Sequence, residues 1–461
     1  MSILAAYMVP HPPMIIPQIG KGSEQQIQET IRAYQEVAEE IGRLKPETII
    51  ITSPHSVLYA DYFHISPGRT AEGDFGAFGA PWVSFRETYD TELREAICSL
   101  AEEDGFPAGT LGEREKRLDH GTMVPLWFIE QKTRDFRLVR IGLSGLSLAE
   151  HYSFGMLIRR AVEQTGRKTV LVASGDLSHK LQEYGPYGFA PEGPAYDRRI
   201  MDAAGRGAFG ELLDFDETFC DQAADCGHRS FVIMAGALDG LEVDARQLSH
   251  QDVTGVGYGI CTFHPGKPSE SRHMLEQWRG KQAEALRIRR QKEDSYVRLA
   301  RDTIEKYILS REWNTVPDWA PPEMKNRRAG VFVSLHREGR LRGCIGTILP
   351  VQESIAEEII RNAVSAATED PRFDPVRPEE VDSLEIHVDV LSEPEKIRGK
   401  QDLDVKKYGV IVSSGSRRGL LLPDLDGVDT VDEQVAIAMK KGGISARDRI
   451  TLERFEVIRH T

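Results

Sequence analysis

Over the first 264 residues, short apolar runs of strand length alternate with longer segments of helical periodicity. Residues 3–9, 48–52, 136–141 and 169–173 are the apolar runs, rich in Val, Ile and Thr, and each reads as a buried strand. Between the first two, residues 23–44 place Ile27, Ile31, Tyr34, Val37, Ala38 and Ile41 on one helical face and stop at Lys45-Pro46. Residues 90–102, 148–164, 196–204 and 230–238 repeat that periodicity, and 258–264 reads as a last strand. Alternation of this kind predicts an α/β domain with a largely parallel or mixed sheet covered by helices on both faces. From residue 265 the pattern changes: a Pro/Gly/Ser opening and a basic, helix-forming run mark a linker or connecting helix through 293. Residues 294–461 then mix strands and helices without βαβ regularity, including a helix at 296–310, a hairpin around 330–346 and a helix at 351–368, which predicts an α+β domain.

A chain of 461 residues is too long for one ordinary core and suits this division into domains at 1–264 and 294–461. Its formal net charge of -14 argues against a nucleic-acid protein, because phosphate binding needs a basic face. The five cysteines, at 98, 220, 226, 261 and 344, form no Cys-x-x-Cys pair, which fits a reducing compartment. No basic leader and no apolar run of the roughly 18 residues a membrane span needs are present, so a soluble cytoplasmic protein with no membrane engagement is expected.

Candidate chemistry collects just past the strands. His11 follows the first run, His55 the second, and Ser174-Gly175-Asp176-Leu177-Ser178-His179 the fourth. Ligands of open α/β sheets bind at the carboxyl ends of the strands, where residues distant in sequence converge. His120, in Asp119-His120-Gly121, opens a helical stretch at 123–129, another place where polar groups point into a cleft. An iron(II) that activates oxygen is commonly held by two imidazoles and one carboxylate on one face, with positions left open. His11 and His55 have that chemistry, and the third donor is open between the Asp, Cys and His of the segment 221–229. His179, preceded by Asp176, suits proton removal from a phenol, while His120 would bind a substrate oxygen or support that base. The bland alternative for Ser174 and Asp176 is a helix N-cap, as it is for Asp119. His64, His151, His250 and His273 are read as ordinary satisfied polar residues. In the second domain, Cys344 lies between two glycines, with Arg340, Arg342 and Arg372 as a candidate anion patch and His336 or His387 as a candidate base.

Taken in order, His-Pro-Pro (11–13), Ser-Pro-His (53–55), Asp-His-Gly (119–121) and Ser-Gly-Asp-Leu-Ser-His (174–179) resemble the class III extradiol ring-cleavage dioxygenase superfamily (LigB-like), and its Memo-like branch in particular, over about residues 1–264. The resemblance implies non-haem iron(II) held by His11 and His55, an acid/base role for His179, and Cys226 as third ligand in the Memo-like manner. Ring-cleaving members carry a carboxylate there. A thiolate is softer, favours copper(I) or zinc as alternatives to iron(II), and is itself oxidisable. Residues 294–461 resemble the AMMECR family through Leu-Arg-Gly-Cys-Ile-Gly (341–346), Asp-Pro-Arg-Phe (370–373) and Arg-Gly-Leu-Leu-Leu-Pro (418–423), with Met439-Lys440-Lys441-Gly442-Gly443 departing from its pattern. The fusion is similar to the AmmeMemoRadiSam system, which implies a radical-SAM protein as partner. Two functions are therefore expected: an iron(II)-dependent oxidoreductase acting on a small aromatic molecule, with His179, His120 and Asp176 catalytic, or a non-catalytic metal-binding, redox or metal-delivery protein for iron or copper.

Overall fold

The apolar runs become the interior of a six-stranded sheet. The computed structural model describes residues 2–425 and 427–461, and the chain divides into two compact units, residues 1–280 and 281–461. In the first, β1 (Ile3–Val9), β2 (Thr48–Ser53), β3 (Arg137–Gly142) and β4 (Thr169–Ser174) run parallel, and β5 (Leu241–Gln251) and β6 (Tyr258–Pro268) add an antiparallel hairpin. The strand order is β3-β2-β4-β1-β6-β5, with β6 antiparallel to β1. β2 leads on to β3 at one edge while β4 leads on towards β5 at the other. Their connections diverge, which opens a crevice beyond their carboxyl ends.

Side chains alternate between two cores. Ala6, Met8, Ile50, Val139 and Leu171 face one core, where α2 (Thr91–Glu103), α4 (Leu148–Thr165), α5 (Glu192–Gly205) and α6 (His228–Ala237) pack. Ala5, Tyr7, Val9, Ile49 and Val172 face the other, against α1 (Gln28–Leu44) and α3 (His120–Ile129). Each Val, Leu or Ile so buried stabilises by roughly 1.5–3 kcal/mol relative to exposure. The crossing of α4 and α6 has no room for side chains: a Cβ on Gly155 would lie 2.0 Å from the Ile233 carbonyl oxygen, and one on Gly236 2.0 Å from that of Tyr152. This contact fixes α6, whose first turn follows Cys226.

Two expectations need amending. Residues 265–268 do not open a linker but continue β6, and the basic run forms α7 (Met274–Arg290), within which the boundary between units falls. No helix follows Ser174, so neither it nor Asp176 is an N-cap; residues 175–178 form a loop. Asp119 does cap α3, accepting from the Thr122 N–H at 3.0 Å.

The second unit is α+β. α8 (Ser295–Ser310) and α9 (Ile355–Thr368) pack on a sheet whose strands are β7 (Val331–Arg337), β8 (Arg340–Gly346), β9 (Glu385–Leu391) and a final strand described below. β7 and β8 join through Glu338 and Gly339, both at positive φ (52° and 77°), as a two-residue hairpin turn of this hand requires. A smaller sheet combines β10 (Glu395–Lys396), β11 (Gly409–Ser414), β12 (Arg417–Leu421) and β13 (Thr451–Phe455), with α10 (Val431–Lys441) sharing a core with it. The chain's last strand, β14 (Val457–His460), returns to complete the first sheet in the order β8-β7-β9-β14. Among the described residues, no helix is long and apolar enough to cross a membrane.

Candidate metal centre

The loops after β1, β2 and β4 converge beyond the carboxyl ends of those strands. His11 Nε2 stands 3.0 Å from His55 Nε2 and 3.6 Å from Cys226 Sγ. The nearest donor atoms of His11, His55 and Cys226 all lie within 4.8 Å of one another, and so do those of Asp176, His179 and Cys226. Cys226 is common to both groups. It is held by a backbone contact that only glycines permit: a Cβ on Gly175 would lie 2.1 Å from the Gly227 Cα. The Asp176 N–H donates to Cys226 Sγ across that contact at 3.3 Å.

Hydrogen bonds fix the orientation of the rings. Ser174 Oγ donates to the Gly121 carbonyl at 2.6 Å and therefore accepts from His11 Nδ1, 3.0 Å away. The lone pair of His11 is thus on Nε2, toward the cluster. The His11 backbone N–H donates to Asp176 Oδ1 at 2.7 Å. His120 stacks on His55, with ring centroids 4.0 Å apart, and meets His11 edge-on at 5.4 Å. Ser53 ties the His55 loop to α3, its hydroxyl donating to Asp119 Oδ1 at 2.5 Å and accepting from the His55 N–H at 3.2 Å. His179 Nδ1 donates to the Ala224 carbonyl, which leaves Nε2 free to exchange a proton. Ala224 is itself left-handed, with φ 54° and ψ 46°, a conformation that costs a non-glycine residue about 1–2 kcal/mol.

Burial sets the charge states. It holds the His11 imidazole well below its ordinary value, with His55 adding to the effect. Partial desolvation lowers His55, whose outer side is open to solvent. His120 falls to about 4 for the same reason, with His55 and His11 contributing. All three are neutral ligands or hydrogen-bonding groups at pH 7. Burial pushes the Asp176 carboxyl up, and pushes the Cys226 thiol well above its usual value with Asp176 adding to it. Two neutral imidazoles, a thiol and a carboxylate crowded together fit a bound metal, which would offset the charge of a buried thiolate.

The other candidates for the third donor point elsewhere. His228 is turned into the core, its Nε2 donating to the Leu212 carbonyl at 2.9 Å and its Nδ1 facing the Tyr196 hydroxyl at 3.2 Å. Asp225 accepts from the His228 N–H at 2.7 Å, and Asp221 is exposed. Of the histidines read as ordinary, His151, His250 and His273 each have a polar partner, at 2.9, 2.8 and 3.2 Å respectively. His64 differs, being buried on the strand at Phe63–His64. Sequence reasoning did not single out Phe78 and Tyr187, whose rings meet His120 and His179 at 5.4 and 5.1 Å. Phe78 ends a single 3-10 turn and Tyr187 lies in a turn, neither within a motif.

Residues 5–261 match the family described as the catalytic LigB subunit of aromatic ring-opening dioxygenase. The chain belongs to the LigB family. Behind its LigB domain it carries a second one, residues 297–460, that matches AMMECR1. A protein of Clostridium acetobutylicum is 39% identical over 469 residues, covering 100% of this chain and 99% of that protein. One from Thermotoga maritima is 51% identical over 171 residues, covering 36% of this chain and 98% of its own length. The crystal structure of an uncharacterised protein from Pyrococcus horikoshii is 35% identical and covers 36% of this chain and 88% of that one, with a TM-score of 0.33.

The LigB family is typically metal-dependent, and the cluster beyond β1, β2 and β4 is where this LigB-family chain offers donors for a metal. In its AMMECR1 domain, Cys344 Sγ accepts from the Ser334 hydroxyl at 3.2 Å. The neighbouring arginines are already committed to carboxylates: Arg342 to Glu380 at 3.0 Å and Arg372 to Asp370 at 2.7 Å. Asp370 is held far below the usual carboxylate range by Arg372. His387 faces Glu385 at 3.2 Å and His336 at 5.0 Å between ring centroids.

Proposed function

We propose that the LigB domain is a non-haem iron(II)-dependent oxidoreductase acting on a small aromatic substrate, with His11, His55 and Cys226 as metal ligands and His179 as acid/base. The observation that supports it is the convergence of His11 Nε2, His55 Nε2 and Cys226 Sγ, with the Ser174 hydroxyl keeping the His11 lone pair turned inward. Iron(II) held there would supply Lewis acidity and one-electron chemistry toward an oxidant, with positions left open. The chain's own part is proton handling and orientation. His179 Nε2 takes a proton from a substrate hydroxyl and returns it, while the Ala224 carbonyl holds the ring by its other nitrogen. Asp176 braces the His11 backbone, and His120 keeps the His55 ring in place by stacking.

Metal content of anaerobically purified wild type and Cys226→Ala, measured by elemental analysis, tests this. Near one iron per chain in the wild type, lost in the variant, is the expected result, followed by oxygen uptake that His179→Ala abolishes. Copper or zinc instead would turn the reading toward metal handling with a radical-SAM partner. No metal in either protein would end it.

A further inference from the structure

The larger sheet of the AMMECR1 domain carries a second cluster of reactive side chains, which the metal centre does not use. Along β7, Val331, Val333 and Leu335 point into the core, so Phe332, Ser334 and His336 share the opposite face. The smaller sheet covers one end of that face, where Phe332, Leu391 and Val457 pack with Ile411 and Phe455. Next to the covered end, Ser334 lies directly opposite Cys344 of β8 on one side and His387 of β9 on the other. All three are half-buried. Side chains so opposed have Cβ atoms about 4.5–5.5 Å apart, which puts the three in one row of neighbours. The Ser334 hydroxyl donates to Cys344 Sγ at 3.2 Å. At the other end of the row, His387 Nε2 lies 3.2 Å from Glu385 Oε1, and Arg289 holds that carboxylate at 2.6 Å. With Nε2 donating to Glu385, His387 keeps its lone pair on Nδ1. A thiol, a hydroxyl able to relay its proton, an imidazole and a carboxylate that orients the imidazole are the parts of an activated nucleophile.

A fixed cation stands beside the sulfur. Asp370 accepts from the Cys344 N–H at 2.8 Å and grips Arg372 with both oxygens, at 2.9 and 2.7 Å. Arg372 Nη2 also reaches the Cys344 carbonyl at 3.3 Å. The Asp370 hydrogen bond holds the Arg372 guanidinium above its ordinary value, and the Cys344 sulfur adds to that effect. This composition selects among thiol chemistries. One cation already shared with a carboxylate is too little for a phosphoryl group that carries nearly two negative charges. Residues 281–461 hold no second cysteine for a dithiol–disulfide cycle, the other four being at 98, 220, 226 and 261. The single charge that develops on the oxygen of a tetrahedral acyl intermediate is within what Arg372 can offset.

We propose that Cys344 is the nucleophile of an acyl-transfer site, which takes its acyl group from a small activated ester or thioester. In this step a bond forms between Sγ and the acyl carbon, and the bond from that carbon to the leaving oxygen or sulfur breaks. The thiol proton passes through the Ser334 hydroxyl to His387 Nδ1 and from there to the leaving group. Arg372 offsets the charge on the acyl oxygen, and the product is a thioester on Cys344. Nothing is oxidised or reduced, so the site works whether or not the LigB domain holds a metal.

Incubation of the full-length chain with p-nitrophenyl acetate tests the site. The wild type should release a burst of p-nitrophenolate near one equivalent, with the acetyl group mapped to Cys344 by peptide mass spectrometry. Acetylation of Cys344 should be at least tenfold faster than that of N-acetylcysteine under the same conditions. Cys344→Ala should abolish the burst. His387→Gln should slow acylation at pH 7 by about 100-fold, the lower end of what general-base catalysis contributes. That deficit should shrink by pH 9.5, where hydroxide ionises the thiol without help from a base, whereas a residue that merely held the fold would leave it unchanged. Cys344 acetylated no faster than the free thiol, or a His387→Gln rate equal to the wild type's at pH 7, overturns the proposal. The comparison with N-acetylcysteine needs the wild type alone, so it decides even where a variant fails to fold.

Discussion

Ser174 decides which nitrogen of His11 faces the cluster. Its only proton goes to the Gly121 carbonyl, so it must receive one from His11 Nδ1. Groups that orient a ligating imidazole in this way are worth about 10–100-fold in metal affinity. Ser174→Ala should weaken metal binding by that factor while leaving the fold intact. Competition titration against a chelator of known affinity reads it, and unchanged affinity would show that the hydroxyl orients nothing.

Cys226 should set which metal the site prefers. A carboxylate at the same place is a harder donor, so Cys226→Asp is expected to keep a metal near one equivalent while its affinity for copper(I) and zinc falls relative to that for iron(II). Parallel binding titrations with the three metals on wild type and variant would measure the shift. Unaltered relative affinities would remove Cys226 from the ligand set.

Gly175 and Gly227 should not tolerate side chains. The Cβ of Gly175→Ala would lie 2.1 Å from the Gly227 Cα, so the two loops must separate. Overpacking of this kind costs about 1–3 kcal/mol. The separation also draws Cys226 away from His11. Denaturant midpoints together with metal content should show both losses, and a variant that lost stability but kept its metal would locate the strain elsewhere.

Much of this geometry was readable in advance, and the failures have physical causes. The strands bearing His11, His55 and Asp176 announced themselves because they are buried on both faces and so are apolar throughout. β5 escaped notice because it is an edge strand, Leu-Glu-Val-Asp-Ala-Arg-Gln-Leu-Ser-His-Gln, polar and for the most part only half-buried or exposed. The last strand, β14, is likewise at a sheet edge, and β13, although interior, carries Glu453 and Arg454 in a run too polar to announce a strand. The role of Ser174 depends on a partner 53 residues away in sequence, at Gly121, and no local spacing reveals such a pairing.

Glu87 should make stability fall with rising pH. Burial and the facing Glu130 raise its carboxyl from 4.5 to about 8. A raised carboxyl keeps its proton in the folded chain where the unfolded chain has lost it. The contribution is therefore complete below pH 4.5 and disappears as pH rises through 8. Glu87→Gln should flatten the decline in thermal midpoint between pH 5 and 9. A variant curve parallel to the wild type's would assign the decline to other groups.

His11, His55 and Cys226 belong to loops so far apart, 215 residues between the first and last, that an unfolded chain cannot present them together. Any ion they bind is therefore bound by the native state alone, and each tenfold excess of free metal over its dissociation constant adds about 1.4 kcal/mol to the resistance to unfolding. The chain's lifetime would then follow its metal supply: replete molecules persist, and starved ones open first and are the first to be degraded.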